Sequence, residues 1–368
     1  MLRESITQIR SRCDEIYFAM YPNRFASSAD RRAHGLKTLI PLRKGRLDCV
    51  PVAYCAPAIV SSMLSKWGAA MEPQLSAVLD LSGFVYGAKW GDYSMRRAAA
   101  EIARLSRTGK PYVFLPQAFG PFSSTRGSRE FAAALRDAAL VCARDRTSEG
   151  YLVELTRGVP TIQLVPDLTI ACRRSGVLAG TLVVDRRAAI LVPNSRVPAS
   201  KLVGVSQYLN LMVGLATALC ANGYHIWVLN HAGREDDAIS RQLLALLAQS
   251  GIPANCLIER DPMLIRESLG AAGLVVASRF HACIAALSQG VPCVATSWSH
   301  KYQELFGDFG CPDSVIGRFE SDEAQRALTY VLENRQQISA TSQRVAVEAT
   351  RQIAAMWDQV AGLIRVSR

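Results

Sequence analysis

The chain lacks the usual marks of metal and redox chemistry. It has no CxxC pair and no Cys/His spacing suited to a metal ion. Its ten cysteines are scattered instead. Cys142, Cys220, Cys283 and Cys293 stand inside apolar runs and read as buried, reduced thiols of a cytosolic protein. No apolar run approaches transmembrane length. The opening Met1-Leu-Arg-Glu-Ser-Ile has no signal-peptide core. There is no repeat period and no low-complexity tract. Blocks of like charge are missing too. Lys and Arg number 42 against 31 Asp and Glu, a net charge of +11. The excess is spread in pairs such as Arg31-Arg32, Arg96-Arg97, Arg173-Arg174 and Arg186-Arg187. That pattern argues for anionic substrates or a loose attraction to a membrane surface, and against a nucleic-acid groove. The plain alternative is solvated arginines that serve solubility alone. The expectation is a soluble, cytoplasmic protein, drawn at most to the inner face of the membrane.

What is present points to a large α/β core. The chain has 368 residues, 49% of them hydrophobic and 20% charged, a length that suits about two domains. The most informative stretch is 274–301. Leu274–Ser278 reads as a buried strand and Ala282–Gln289 as a helix. Gly290 fits the position just past a helix end, and Pro292 stops the helix. Cys293–Ser297 reads as a second buried strand, parallel to the first. Arg279 and His281 stand where the first strand hands over to the helix, and Lys301 follows the second strand. Ligands in open α/β sheets bind at the carboxyl ends of strands, and helix N-termini favour anions. Three cationic side chains are therefore expected around one anion.

The rest of the chain alternates in the same way. Residues 1–50 are hard to read, with a strand expected within Cys13–Tyr21 and a loop or short helix over Ser27–Leu36. Helices are expected over Ala56–Trp67, Ser94–Thr108, Arg126–Ala138 and Glu149–Thr156. Strands are expected over Val78–Ser82, Pro111–Leu115, Leu140–Ala143 and Thr161–Val165. Pro116–Phe122 reads as a turn that cannot be helical. Polar, unpatterned Cys172–Arg187 marks a domain boundary. Beyond it, strands are expected at Ala188–Val192, His225–Leu229 and Cys256–Glu259. Helices are expected at Gln207–Ala221, Asp236–Gln249, Met263–Ala271, Glu323–Leu332 and Gln343–Ile364. The implied fold class is α/β, two doubly wound Rossmann-like domains facing a cleft, over 1–180 and 181–345. A last helix over 346–368 would cross back to the first domain.

Five ordered motifs over roughly 78–310 resemble the polysaccharide pyruvyl transferase family. They are Leu81-Ser82-Gly83-Phe84, Gln117-Ala-Phe-Gly120-Pro121, Arg144-Asp145-Arg-Thr-Ser148, Pro166-Asp167, and Arg279-Phe-His281 with Gly290-Val-Pro292 and Lys301. The family usually opens with a Gly-Asn-x-Gly-Asp turn, and residues 1–30 hold nothing like it. Its glycine-rich strand end is reduced here to Ser82-Gly83. The resemblance implies a glycosyltransferase-B-like fold. It also implies transfer of the enolpyruvyl unit of phosphoenolpyruvate onto two hydroxyls of a sugar, giving a pyruvate ketal and phosphate. The acceptor would be a sugar or lipid-linked glycan, with no nucleic acid as partner.

Those chemical needs can be set against the residues. A carboxylate and a phosphate on adjacent positions call for bidentate guanidinium donors. Arg279 is the first choice, with an anionic ligand as the expected partner of an Arg directly after a buried strand. Arg144 is the second. His281 suits proton transfer to the enol carbon and from the sugar hydroxyls. Lys301 would neutralise the departing phosphate, with His300 beside it. Ser82, Gly83, Gln117 and Asp167 would line the substrate site. The scheme requires neither cofactor nor metal. Plainer readings stay open: Arg144-Asp145 as a surface ion pair and helix cap, Asp167 as a turn former, and Gln117-x-x-Gly120-Pro121 as a shaped turn. His225 reads as core, while His231 fits core or site. Two other functions compete. A nucleotide-sugar glycosyltransferase would need a carboxylate on the ribose, with Glu304 or Asp236 as candidates. A degenerate, non-catalytic member would bind a glycan.

Overall fold

The computed structural model describes residues 2–13, 16–21, 31–32, 35–44, 47–158, 161–172, 184–297 and 301–366. The chain divides into two compact units, Met1–Asp167 with Ala354–Arg368, and Leu168–Ile353.

The first unit begins with helix Leu2–Arg10, followed by β1 (Phe18–Met20), β2 (Leu36–Leu39), the short pair β3 (Arg43–Lys44) and β4 (Leu47–Asp48), and β5 (Ala69–Ala70). β1, β2 and β5 form one parallel sheet, in the order β1-β2-β5. A second parallel sheet runs β6 (Val78–Asp80), β7 (Tyr112–Gln117), β8 (Leu140–Ala143) and β9 (Ile162–Leu164), in sequence order. The expectation is a doubly wound, Rossmann-like domain. The two sheets are instead separated by a cavity of about 730 Å³, lined by Met20, Leu36 and Leu39 on one side and Val78, Asp80 and Tyr112 on the other. Helix Asp92–Arg107 turns Met95, Ala98, Ile102 and Leu105 inward at helical spacing. It packs with helix Arg126–Ala134 around Tyr86, Phe114 and Phe131. Tyr86 stacks on Phe131 at 5.1 Å between centroids, while Phe114 meets Phe131 edge-on.

The second unit is one parallel sheet of six strands: β10 (Ala188–Val192), β11 (His225–Leu229), β12 (Ala254–Leu257), β13 (Leu274–Ala277), β14 (Cys293–Thr296) and β15 (Val315–Ile316). Their spatial order is β12-β11-β10-β13-β14-β15. That is the strand order of a dinucleotide-type Rossmann fold, with its switch point between β10 and β13. β10, β13 and β14 are buried at every position, so they read as continuous apolar runs. β11 differs at its start, where His225 is exposed, so it is not the core residue expected. Helix Arg335–Val366 begins earlier than expected, because no Gly or Pro interrupts it before Gly362.

The thiols are mostly as expected. Cys142, Cys283 and Cys293 are buried, but Cys220 is only half-buried. Burial pushes the Cys142 thiol up to about 12.

Candidate functional site

Each unit gathers the expected residues at the carboxyl ends of its parallel strands. In the first unit, Ser82 and Gly83 follow β6, Gln117 ends β7, Arg144 follows β8 and Asp167 lies just past β9. Cross-links hold these loops together. Ala118 N donates to Gly83 O at 3.0 Å, Arg144 N to Gln117 O at 3.0 Å, and Val165 N to Ala143 O at 2.9 Å. Asp145 caps the helix Arg146–Thr156 by accepting from Ser148 N at 2.7 Å. The Ser148 hydroxyl accepts from Phe119 N at 3.0 Å, so the Arg-Asp-x-x-Ser element carries the Gln-x-x-Gly-Pro turn. Gly120 has φ of +76°, and a Cβ there would run into the Tyr151 ring.

Arg144 is not a surface ion pair. Its Nη1 donates to Asp167 Oδ2 at 3.2 Å, with Asp167 buried and only 9% of the Arg144 side chain exposed. The Asp145 carboxylate lies 4.0 Å from its Nε. Asp167 is therefore a charge partner rather than a turn former. Asp80 just before Ser82 is also buried. It accepts from Tyr112 Oη at 2.8 Å, Tyr86 Oη at 2.5 Å and Ser82 N at 2.8 Å. Burial, then the Asp80 charge, pushes both phenols above their ordinary value.

Gln117 stands apart. It is 1% exposed, and neither amide atom has a hydrogen-bond partner among the described residues. An unsatisfied buried amide costs about 1–3 kcal/mol. Gln117→Met should keep or raise the melting temperature while weakening acceptor binding. A variant that loses stability, with an unchanged acceptor KM, would make Gln117 a structural residue.

In the second unit, Arg279 lies at the switch point, as the N-cap of helix Phe280–Leu287, and its own side chain makes no capping hydrogen bond. Its strand end is fixed by a buried network centred on Ser278. Asn194, after β10, donates from Nδ2 to Ser278 O at 2.8 Å. Tyr302 Oη donates to the same carbonyl at 2.7 Å, tying helix Lys301–Asp308 to this point. Tyr208 Oη lies 2.6 Å from Ser278 Oγ. Lys301 holds its ammonium 4.8 Å from the centre of the Phe280 ring. Arg279, Phe280 and Lys301 are thus brought together, with His281 exposed on the first turn of the helix. His300 lies outside the described residues.

One expectation is corrected here. The immediate partner of Arg279 is not a ligand but Asp236. Arg279 Nε donates to Asp236 Oδ2 at 2.8 Å, and Nη2 donates to Oδ1. Glu235 lies 3.4 Å from the same Nη2. Asp236 is fully buried and also accepts from Ser195 N at 3.0 Å and Ser195 Oγ at 3.1 Å. It is therefore committed, and does not serve as the ribose carboxylate considered above. The Nη1 donors of Arg279 reach no acceptor among the described residues. A guanidinium held on one edge by a carboxylate presents the other in a set direction.

His231, just beyond β11, belongs to this cluster rather than to the core. Burial first, then the charges of His281 and Arg279, lower it to about 4, against the pull of Asp236. It is neutral at physiological pH. Sequence reasoning left His231 open and missed Asn194 and the role of Asp236. The signal available was positional: each follows a parallel strand at the edge that already carried Arg279.

Comparison with known proteins gives the family and the fold. The model of the polysaccharide pyruvyl transferase family matches residues 6–300. The chain belongs to that family. No curated protein matches it. Solved structures share its fold at low identity. UDP-GlcNAc 2-epimerase from Neisseria meningitidis, bound to UDP-GlcNAc, has 9% identity and a TM-score of 0.59, over 96% of this chain and 95% of that one. Anabaena HepE in complex with UDP has 14% identity and a TM-score of 0.55, over 98% and 94%. UDP-GlcNAc 2-epimerase from Methanocaldococcus jannaschii has 12% identity and a TM-score of 0.54, over 89% and 88%. The fold of this pyruvyl transferase family member is of the glycosyltransferase-B type.

Proposed function

We propose that this transferase moves the enolpyruvyl group of phosphoenolpyruvate onto two hydroxyls of one sugar in a cell-surface polysaccharide precursor. The carrying observation is the grouping of Arg279, His281 and Lys301 at the switch-point edge of one sheet, at the start of helix Phe280–Leu287. The free edge of Arg279 would take the donor's anionic groups. Lys301 would meet the charge that grows as phosphate leaves. His281 would give its proton to the enol methylene, making C2 an oxocarbenium-like centre that a sugar hydroxyl attacks. The C2–O bond to phosphate then breaks and the second hydroxyl closes the ketal. One hydroxyl proton restores His281 and the other leaves with phosphate. His231, uncharged at neutral pH, would relay that second hydroxyl proton to the phosphate. In the first unit, Gln117, Ser82, Gly83 and the Arg144–Asp167 pair would line the acceptor subsite.

A nucleotide-sugar glycosyltransferase is the second reading. It is favoured by fold relatives that hold UDP or a UDP-sugar. With Asp236 committed to Arg279, Glu304 is its remaining ribose carboxylate. One assay separates the two readings. The enzyme is incubated with phosphoenolpyruvate, or with UDP-sugars, and a pool of nitrophenyl and lipid-linked glycans. Phosphate release with an acceptor mass gain of pyruvate less water is expected. UDP release without any use of phosphoenolpyruvate would replace the first reading by the second.

A further inference from the structure

Helix Asp92–Arg107 carries a carboxylate on its apolar face. Glu101 stands between Ala98 and Ile102 in the inward-facing set, and it is buried with them. Among the described residues its one hydrogen bond comes from Tyr21 Oη, at 3.4 Å, and no Lys or Arg forms an ion pair with it. The nearby guanidinium groups are engaged elsewhere. Arg104 grips both oxygens of Glu72, at 3.1 and 3.0 Å. Arg97 is exposed, 5.2 Å from the centre of the Tyr21 ring. Burial first, then the charge of Glu72, raises the Glu101 carboxyl above its ordinary value, against Arg97 and Arg104. A buried carboxylate without a counter-charge is costly. Glu101 is not enclosed by packed side chains, however. It lines the cavity of about 730 Å³ between the two sheets of the first unit.

We propose that this cavity binds an organic ammonium ion with an apolar body. Its lining supplies what such a ligand needs. Tyr17, Phe18, Tyr21, Tyr86, Tyr93 and Tyr112 all line it. Aromatic rings attract a cation over their faces. Two buried carboxylates share the lining, Asp80 and Glu101. Asp80 already accepts from Ser82 N and from the phenols of Tyr86 and Tyr112. Glu101, with its one long hydrogen bond, is the open acceptor. Ile6, Ile9, Leu36, Leu39 and Val78 form an apolar wall for the body of the ligand. The volume suits a small molecule, whose pockets run to about 300–1,000 Å³. Tyr17 is 78% exposed and Tyr93 75%, so the cavity opens past aromatic side chains. An anion would meet Asp80 and Glu101, and an uncharged apolar molecule would leave Glu101 without a counter-charge. An ammonium group supplies that charge. The inference is independent of the donor chemistry, whose residues lie in the other unit.

The test is calorimetric titration of the full chain, near neutral pH, with octylamine, octanol and octanoate. The three probes share one apolar body and differ in the charge of the head. Octylamine is expected to saturate one site, about tenfold or more tighter than octanol, because a buried charge pair forms only with the amine. Octanoate should not bind. Glu101→Gln keeps the shape of the side chain and removes its charge. It should weaken octylamine about tenfold or more and leave octanol unchanged. Its melting temperature should match or exceed wild type, since a buried charge is gone. Tyr93→Ala, at an exposed position, should weaken octylamine about threefold through the lost ring. No binding of octylamine by the wild type overturns the proposal. So does octanol or octanoate binding as tightly as octylamine, or undiminished octylamine binding by Glu101→Gln. Should Glu101→Gln melt far below wild type, Tyr93→Ala decides instead, and an unchanged octylamine affinity there overturns the proposal.

Discussion

His281→Gln lowers turnover by about 10²–10⁴, the usual contribution of a positioned acid–base group, and changes donor affinity far less. The amide keeps the size of the ring and some of its hydrogen bonding but carries no exchangeable acid proton. His281 is exposed on the first turn of an eight-residue helix and meets the Phe280 ring edge-on at 5.9 Å, so the substitution removes little packing. The sign of the pH effect follows from the role. As acid, His281 works only when protonated, so wild-type turnover falls as pH rises through its titration. The variant should lose that limb. His231 cannot substitute: held to about 4, it carries no proton to donate near neutrality. The measurement is turnover against pH for both proteins, with donor binding followed by calorimetry. Wild-type turnover and an unchanged pH profile in the variant would remove His281 from the chemistry.

Asp236→Ala unfolds the second unit at markedly lower temperature and abolishes donor binding. Asp236 is fully buried, and the Arg279 guanidinium is bound to both of its oxygens. Removing one partner of a buried pair costs about 3–5 kcal/mol, because the other charge is left unpaired. For a unit of this size each kcal/mol moves the melting temperature by roughly 2–4 °C. Arg279→Ala should destabilise for the same reason, so its loss of binding cannot be read alone. The double variant Asp236→Leu with Arg279→Met separates the effects. Apolar replacement of a whole buried pair is often neutral, so most of the melting temperature should return while donor binding does not. A double variant that recovers both would show the pair to be scaffolding. One that recovers neither would show that the strand ends need the ion pair itself.

Much of the alternation of strands and helices was legible because buried parallel strands are nearly continuous apolar runs. Leu140–Ala143, Ala188–Val192 and His225–Leu229 were readable to the residue for that reason. Several other short strands were not. β2, β3, β4 and β15 have four residues or fewer and carry no apolar run long enough to separate from loops. Helix Lys301–Asp308 was missed as well, because polar Lys301, Gln303 and Glu304 mask the buried Tyr302, Leu305 and Phe306.

By itself the sequence determined the α/β class, the family and the residues that stand at strand ends. Local order suffices for that: where an apolar run stops, the chain leaves the sheet, and the next side chains sit at its edge. Partners are a different matter, because they come from distant segments. Arg279 meets Asp236 from 43 positions away, and Arg144 meets Asp167 from 23. Only the order of the sheet brings β10, β11, β13 and β14 to one edge. Tertiary structure therefore decided that Arg279 is held by a carboxylate, that His231 joins His281, that the Gln117 amide is buried without a partner among the described residues, and that helix Ala58–Lys66 leaves Ile59, Val60 and Met63 exposed. The physical reason is common to all four. Burial and pairing depend on what packs opposite a residue, and one-dimensional spacing does not carry that information.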